Sequence, residues 1–93
     1  MIEPKNYDEL NGTQRRVLRE AYVKDQGGKC YHCGQDLEKN PCSSVRCLAV
    51  QESLFPPGFF NNPVHLHHNH FTSMTIGAVH CYCNAVLWQY YGE

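Results

Sequence analysis

The apolar positions of the chain predict one helix near each end. In the first segment they recur at helical spacing, at Val17, Leu18, Ala21 and Tyr22. This spacing predicts a helix over residues 13–25, and the glycine pair at positions 27 and 28 supplies its stop. The apolar run of residues 84–91 predicts a shorter second helix.

Two short strands are expected between these helices. Residues 64–66 have the composition of a strand start, and residues 72–79 that of a returning strand. Gly77 interrupts the second strand, as a bulge or a close backbone approach would. The predicted order is therefore strand, turn, strand and helix.

The intervening segment, residues 38–63, shows no sustained period and is predicted to be a long loop. Its turn-forming residues are Pro41, Pro56, Pro57, Gly58, Asn61, Asn62 and Pro63. A loop of this length in a small domain is usually functional or disordered. Phe55, Phe59 and Phe60 favour a loop that packs back onto the rest of the domain.

The size of the chain changes this picture, because 93 residues bury too little apolar surface for a comfortably stable core. Six cysteines and six histidines are a high count for this length, so disulfides, a bound metal or both could supply the missing stability. The first ten residues do not resemble a signal peptide, and no apolar stretch reaches membrane-spanning length. We therefore expect a cytoplasmic protein with reduced cysteines, a bound metal and no membrane partner.

The net charge of -1 and the sequence pI of about 6.6 give the chain no global attraction to nucleic acid. Five of the eight Lys and Arg residues nevertheless fall within fifteen positions: Arg15, Arg16, Arg19, Lys24 and Lys29. The three arginines fall on the polar side of the predicted first helix. They form either a solvated helix face or a surface that contacts the DNA backbone.

Two pairs of residues have the spacing of zinc half-sites. Cys30 and Cys33 enclose two residues and are followed by a glycine, and His80 and Cys83 are separated in the same way. A two-residue gap lets one turn present both ligands, and four Cys or His ligands close a tetrahedral structural zinc site. We therefore predict a zinc ion held by these four residues, with Cys81 in place of His80 as the alternative.

Cys42 and Cys47 leave a second question open. Their spacing would let them share a second zinc site with Cys81 and a histidine. Spare or buried thiols are the commoner fate of such cysteines, and we favour that interpretation.

The histidines at positions 65, 67, 68 and 70 are far denser than core packing would explain. Adjacent side chains alternate across a strand, so His67 and His68 can serve one site only where the strand ends. There one imidazole can ligate a divalent cation while its neighbour accepts a proton from water, as metal-assisted phosphodiester hydrolysis requires. Asn84, at the start of the predicted last helix, could cap that helix or turn its oxygen to a metal.

The segment 64–87 resembles the ββα-metal motif of HNH endonucleases and has the sequence VHLHHNHFTSMTIGAVHCYCNAVL. The closest resemblance is to the recombination endonuclease VII branch. His70 and His80 are ten positions apart, as the last motif histidine and the first zinc ligand are in that branch. The other matching positions are Thr72, Gly77, Cys83, Asn84 and, in the upstream zinc knuckle, Cys30 and Cys33.

The resemblance implies a small zinc-stabilised α+β domain with an HNH or treble-clef-like core. It gives His68 the role of general base, makes His67 and Asn84 the ligands of a catalytic cation, and puts His70 at an accessory position beside the phosphate. The implied activity is hydrolysis of DNA to 5′-phosphate and 3′-hydroxyl ends, in phage DNA processing.

Four positions depart from the family pattern: His67 stands for an aspartate, His80 for a cysteine, Ser73 for a glycine and Ile76 for an arginine. A histidine at position 67 would move the cation preference from Mg²⁺ or Mn²⁺ toward softer divalent ions. Loss of the arginine removes an implied phosphate contact.

The expected organisation is a single endonuclease domain over residues 1–93. Its parts are an N-terminal helical segment (1–26), a zinc knuckle (27–37), an insertion loop (38–63) and the ββα-metal motif (64–91). The rival hypothesis is a non-catalytic treble-clef zinc module that binds nucleic acid or protein, which has no need of His67, His68 and Asn84. The aromatic residues near the C-terminus could also leave apolar surface for a homodimer.

Overall fold

The computed structural model describes residues 2–91, which form an α+β arrangement around a two-stranded antiparallel sheet. The regular elements are α1 (Gly12–Asp25), α2 (Ser43–Arg46), β1 (Val64–His68), β2 (Thr75–His80) and α3 (Cys81–Tyr91). Single 3-10 turns lie at Tyr7–Glu9, Glu52–Leu54 and Phe59–Asn61. Within residues 2–91, none of the helices is long and apolar enough to cross a membrane.

Helix α1 confirms the predicted first helix and starts one residue earlier. Asn11 and Gln14 form a capping box, in which each side chain accepts a hydrogen bond from the other residue's backbone N–H. The helix ends before Gly27 and Gly28, which have φ angles of 67° and 75°. Glycine adopts this left-handed conformation without steric cost, so the predicted stop is confirmed.

The strands pair in a register that runs from Val64 opposite His80 to His67 opposite Gly77. The register then shifts, because His68 pairs with Thr75 and leaves one extra residue on β2. β2 begins at Thr75, so the predicted start at position 72 is wrong. Residues 69–74 instead form a turn, in which the Asn69 side chain accepts hydrogen bonds from two backbone N–H groups.

Gly77 lies where another part of the chain approaches the backbone of β2. A Cβ atom at this position would be 2.8 Å from Oε1 of Gln26 and 3.0 Å from Cγ of Tyr31. The Gln26 amide is held there by three hydrogen bonds, because it accepts from the N–H of Ala78 and donates to the carbonyl oxygens of Ala78 and Lys29. Of the two features predicted for Gly77, a close approach is present and is made by side chains, and the register shift lies directly beside it, between Thr75 and Gly77.

Helix α3 begins at Cys81, directly after β2 and three residues before the predicted start. Asn84 therefore lies inside the helix and cannot cap its N-terminus, so that alternative is wrong. The helix packs on the sheet through Cys83 and Val86, which are fully buried.

The segment 38–63 is more regular than predicted, since it contains α2 and two 3-10 turns. It returns to the body of the protein as expected. The ring of Phe55 contacts that of Trp88 on α3 at 5.5 Å between centroids. The Gln89 side chain hydrogen-bonds the backbone of Ala49 and Gln51, so α3 holds the segment at several points.

Candidate functional site

The four predicted zinc ligands lie together in one cluster, which we call the Cys3His centre: Cys30, Cys33, His80 and Cys83. Their ligand atoms all lie within 4.8 Å of one another. The first two follow the end of α1, where Gly34 has a φ of 79° that closes the turn. The other two lie at the junction of β2 and α3. The two half-sites are thus brought together by the packing of the sheet on the segment after α1.

The distances in the Cys3His centre fit a tetrahedral metal site. Nδ1 of His80 lies 3.4 Å from Sγ of Cys33 and 3.6 Å from Sγ of Cys83. Zinc bonds of about 2.3 Å to sulfur and about 2.0 Å to nitrogen give a tetrahedral edge of about 3.5 Å. The donor set therefore could hold a metal ion and is consistent with structural zinc.

The His80 ring is oriented for this role by its second nitrogen. Nε2 lies 2.8 Å from the carbonyl oxygen of Asp36, to which it donates when it carries the proton. That tautomer leaves the lone pair of Nδ1 directed at the two sulfurs. Ligating histidines are commonly held by such a hydrogen bond to a carbonyl.

Two thiols of the Cys3His centre share a proton through a hydrogen bond, and a metal cation could take the place of that proton. The side chain of Cys83 hydrogen-bonds that of Cys30, which lowers the pKa of Cys30 to about 4 and raises the pKa of Cys83. Both residues are buried. A buried thiolate needs a compensating positive charge, and a bound metal supplies it. A metal held by these four protein ligands would have no open position for catalysis.

The remaining cysteines lie outside this group. Burial raises the pKa of Cys81, which keeps its thiol protonated. Cys42 and Cys47 lie on either side of Ser44, with Sγ atoms 3.0 Å from its hydroxyl and 3.4 Å from its carbonyl oxygen, respectively. Among residues 2–91, no second set of three Cys, His, Asp or Glu side chains lies as close together. The alternative zinc site of Cys42, Cys47 and Cys81 is therefore not assembled in this part of the chain.

A separate cavity of about 580 Å³ lies between α1, β1, α3 and the segment 38–63, and we call it the histidine cavity. The polar side chains in its lining include Arg15, Arg19, Asn62, His65, His68, His70 and Asn84. Phe59 and Trp88 are among its apolar lining residues. The cavity therefore combines imidazole, amide and guanidinium groups with an apolar wall.

His68 is the last residue of β1. This agrees with the expectation that His67 and His68 can serve one site only where the strand ends. Its ring stacks on that of Tyr7 at 4.0 Å with an interplanar angle of 7°, and its edge meets the His70 ring at 4.9 Å. Burial lowers the pKa of His68, and the nearby His70 and His67 lower it further. The imidazole is therefore mostly neutral near pH 7 and can accept a proton.

His67 and Asn84 are placed differently from each other. His67 is only 3% exposed and does not belong to the cavity lining. Asn84 does line the cavity, and its Nδ2 lies 3.1 Å from Nδ1 of His65. No role was predicted for His65, although it belongs to the same histidine-rich run. The pairing depends on how α3 packs on β1, which the local sequence does not encode.

The predicted arginine face divides into two parts. Arg15 and Arg19, one helical turn apart, line the cavity, whereas Arg16 is exposed and lies outside its lining. The guanidinium of Arg15 donates twice to the carbonyl oxygen of Tyr7 and lies 3.9 Å above the Tyr7 ring. Arg15 therefore supports the residue on which His68 stacks.

In comparisons with protein-family models, curated proteins and solved structures, no match to this chain was found. Any activity therefore has to be inferred from the residues of the chain itself.

Proposed function

We propose that the chain is a metal-dependent endonuclease that hydrolyses the phosphodiester bonds of DNA, leaving 5′-phosphate and 3′-hydroxyl ends. The histidine cavity is the observation that carries this proposal. Three groups that the resemblance assigns to an HNH active site, the side chains of His68, His70 and Asn84, line that one cavity. The same resemblance connects the activity with phage DNA processing.

His68 is the general base of the proposed reaction. Its stacking on Tyr7 fixes the plane of the ring, and the backbone N–H of Tyr7 donates to the carbonyl of Ser73 at 2.7 Å. A neutral imidazole in a fixed orientation can take the proton from a water molecule as that water attacks phosphorus. His70, in edge contact with His68, is the group that faces the phosphate.

A divalent cation is the second component. When bound, it would stabilise the negative charge that develops on the phosphate oxygens during hydrolysis. The resemblance assigns it to His67 and Asn84. The donors available around the cavity are imidazole nitrogens and the amide oxygens of Asn62 and Asn84, which fit Mn²⁺ and softer divalent ions as well as Mg²⁺.

The substrate class follows from the charge of the cavity. Arg15 and Arg19 line it from α1, in a chain whose net charge is -1. Guanidinium groups bind phosphate oxygens and release counterions from DNA, so a local pair can supply attraction that the whole chain lacks.

The test is plasmid nicking by the purified protein with Mg²⁺, Mn²⁺ or EDTA in the buffer. We expect cleavage with a divalent ion, none with EDTA, and a strong loss in a His68→Ala variant. His32→Ala is the matched control, because His32 is exposed and lies outside the cavity lining. A wild-type protein that is inert with every metal and DNA form tried would favour the non-catalytic zinc module.

A further inference from the structure

In the histidine cavity, the imidazole of His65 is in hydrogen-bond contact with the side-chain amide of Asn84. Nδ1 of His65 and Nδ2 of Asn84 are 3.1 Å apart, although they belong to different elements, β1 and α3. We propose that His65, paired with Asn84, is a ligand of the cavity's divalent cation. This proposal rests on the endonuclease function proposed above. The family resemblance gives that place to His67.

The separation of the two side chains fits a coordination site. A half-turn of the Asn84 amide puts its oxygen where the nitrogen now lies, so that two lone-pair donors face each other across 3.1 Å. Two neighbouring ligands of an octahedral ion with bonds of about 2.1 Å are about 3.0 Å apart. The pair therefore spans one edge of such a site with little movement.

The His65 ring is already held in place by its surroundings. It meets the Phe59 ring edge-on at 4.6 Å and is hydrogen-bonded to the backbone of Phe59 and Asn62. A ring anchored by backbone groups while one nitrogen faces the site is the usual arrangement of a metal-ligating histidine. His80 shows the same arrangement in the Cys3His centre, where Asp36 supplies the carbonyl.

His67 is less well placed for this role. It is 3% exposed, and the lining of the cavity includes His65 and His68 but not His67. A ligand of a substrate-facing cation has to reach the cavity, since the ion also contacts the phosphate and water. The side chain of Asn84 contacts β1 at Nδ1 of His65, at 3.1 Å.

The test measures Mn²⁺ binding to the zinc-loaded protein without DNA, from the electron paramagnetic resonance signal of free Mn²⁺. We compare the wild type with His65→Ala, Asn84→Ala, His67→Gln and the control His32→Ala, and zinc content with circular dichroism verifies each fold. We expect His65→Ala and Asn84→Ala to weaken Mn²⁺ binding by about tenfold or more, and His32→Ala to leave it unchanged. Wild-type affinity in folded His65→Ala, or a wild type that binds no Mn²⁺, would overturn the proposal.

His65→Asp provides a second variant in case His65→Ala does not fold. A carboxylate keeps one ligand atom but is harder than imidazole, so Mn²⁺ binding should be retained while Co²⁺ binding and its visible spectrum weaken. An unchanged Co²⁺ spectrum in folded His65→Asp would count against direct ligation. If the wild type binds Mn²⁺ through His65 but cleaves no DNA, the endonuclease function fails and the cation site remains.

Discussion

The Cys3His centre and the histidine cavity both contain imidazole rings, but the two regions hold them differently. In the centre, His80, Cys30 and Cys83 are buried and Cys33 is half-buried, and the four ligand atoms lie within 4.8 Å of one another. In the cavity, His65 and His68 are half-buried and His70 is exposed, so solvent and a substrate can reach the rings. The closed surroundings of His80 suit a structural ligand, whereas the open cavity suits the catalytic role proposed for His68.

We expect the histidine cavity to depend on the Cys3His centre, but not the centre on the cavity. Cys83 of the centre and Asn84 of the cavity are consecutive residues in the first turn of α3. A metal held by Cys83 would therefore help to position Asn84, whereas none of the four ligands of the centre lines the cavity. Changes in the centre should damage both regions, and changes in the cavity should damage one.

Loss of the metal should have the largest effect. We expect Cys83→Ser, or chelation with phenanthroline, to abolish cooperative thermal unfolding and DNA cleavage together, since structural zinc contributes about 10–16 kcal/mol in small zinc domains. Zinc content and circular dichroism melting measure this effect. A metal-free protein with the melting transition of the loaded protein would break the proposed dependence of the cavity on the centre.

Removal of His68 should have the next largest effect, and only on catalysis. We expect His68→Ala to lower the cleavage rate by about 10²- to 10⁴-fold while zinc content and melting temperature stay close to those of the wild type. Because the pKa of His68 is lowered by burial, the wild-type rate should rise with pH below the ordinary histidine value of about 6.5 and level off above it. Single-turnover rates between pH 5 and 8 measure this, and wild-type rates in the variant would refute the assignment.

Substitution of the arginines on α1 should have a smaller effect on DNA binding, and its size should depend on whether the arginine lines the cavity. Arg19→Ala removes a guanidinium from the cavity, so DNA binding should weaken and the salt dependence should lose about one unit of slope. Arg16→Ala changes the net charge equally but alters a residue outside the lining, and it should have less effect. Fluorescence anisotropy at several salt concentrations measures both. Equal losses would indicate general attraction rather than contact within the cavity.

Cys81→Ser should have the smallest effect, although the residue lies between two predicted zinc ligands. Its thiol is outside the Cys3His centre, so the variant should keep its zinc and lose less than about 1 kcal/mol of stability. His80→Ala is the paired comparison and should lose the metal. If elemental analysis gave the opposite result, Cys81 and not His80 would be the ligand.

The centre could be predicted from the sequence because each half-site is local. Cys30 and Cys33 fit one turn, and His80 and Cys83 fit another. Because a structural zinc ion is coordinated by four ligands, the two pairs are expected to meet. The start of α3 was placed too late because Asn84 is a residue that commonly precedes a helix, whereas here the helix begins at Cys81. The spacing of His80 and Cys83 already matches one helical turn, and it could have indicated the earlier start.

The cavity was only partly predictable, because its residues come from elements far apart in the chain. The end of β1 at His68 followed from the need to bring adjacent histidines to one site. The contact of His65 with Asn84 depends on the packing of α3 on the hairpin, and the stacking on Tyr7 depends on the N-terminal segment. Neither leaves a periodic pattern in the sequence.

The segment 38–63 is attached to α3 at several points, so its length can vary between those points while the segment stays in place. The side chains of Tyr82 and Gln89 hold its backbone at Leu48, Ala49 and Gln51, and Phe55 packs on the same helix. The exposed residues Glu52 and Ser53 lie between these points of attachment. Doubling the length of a flexible loop costs only about 0.6 kcal/mol of closure entropy. A few glycines inserted just before the 3-10 turn at Glu52–Leu54 would therefore lengthen the rim of the cavity at a cost of this order, with the points of attachment to α3 kept.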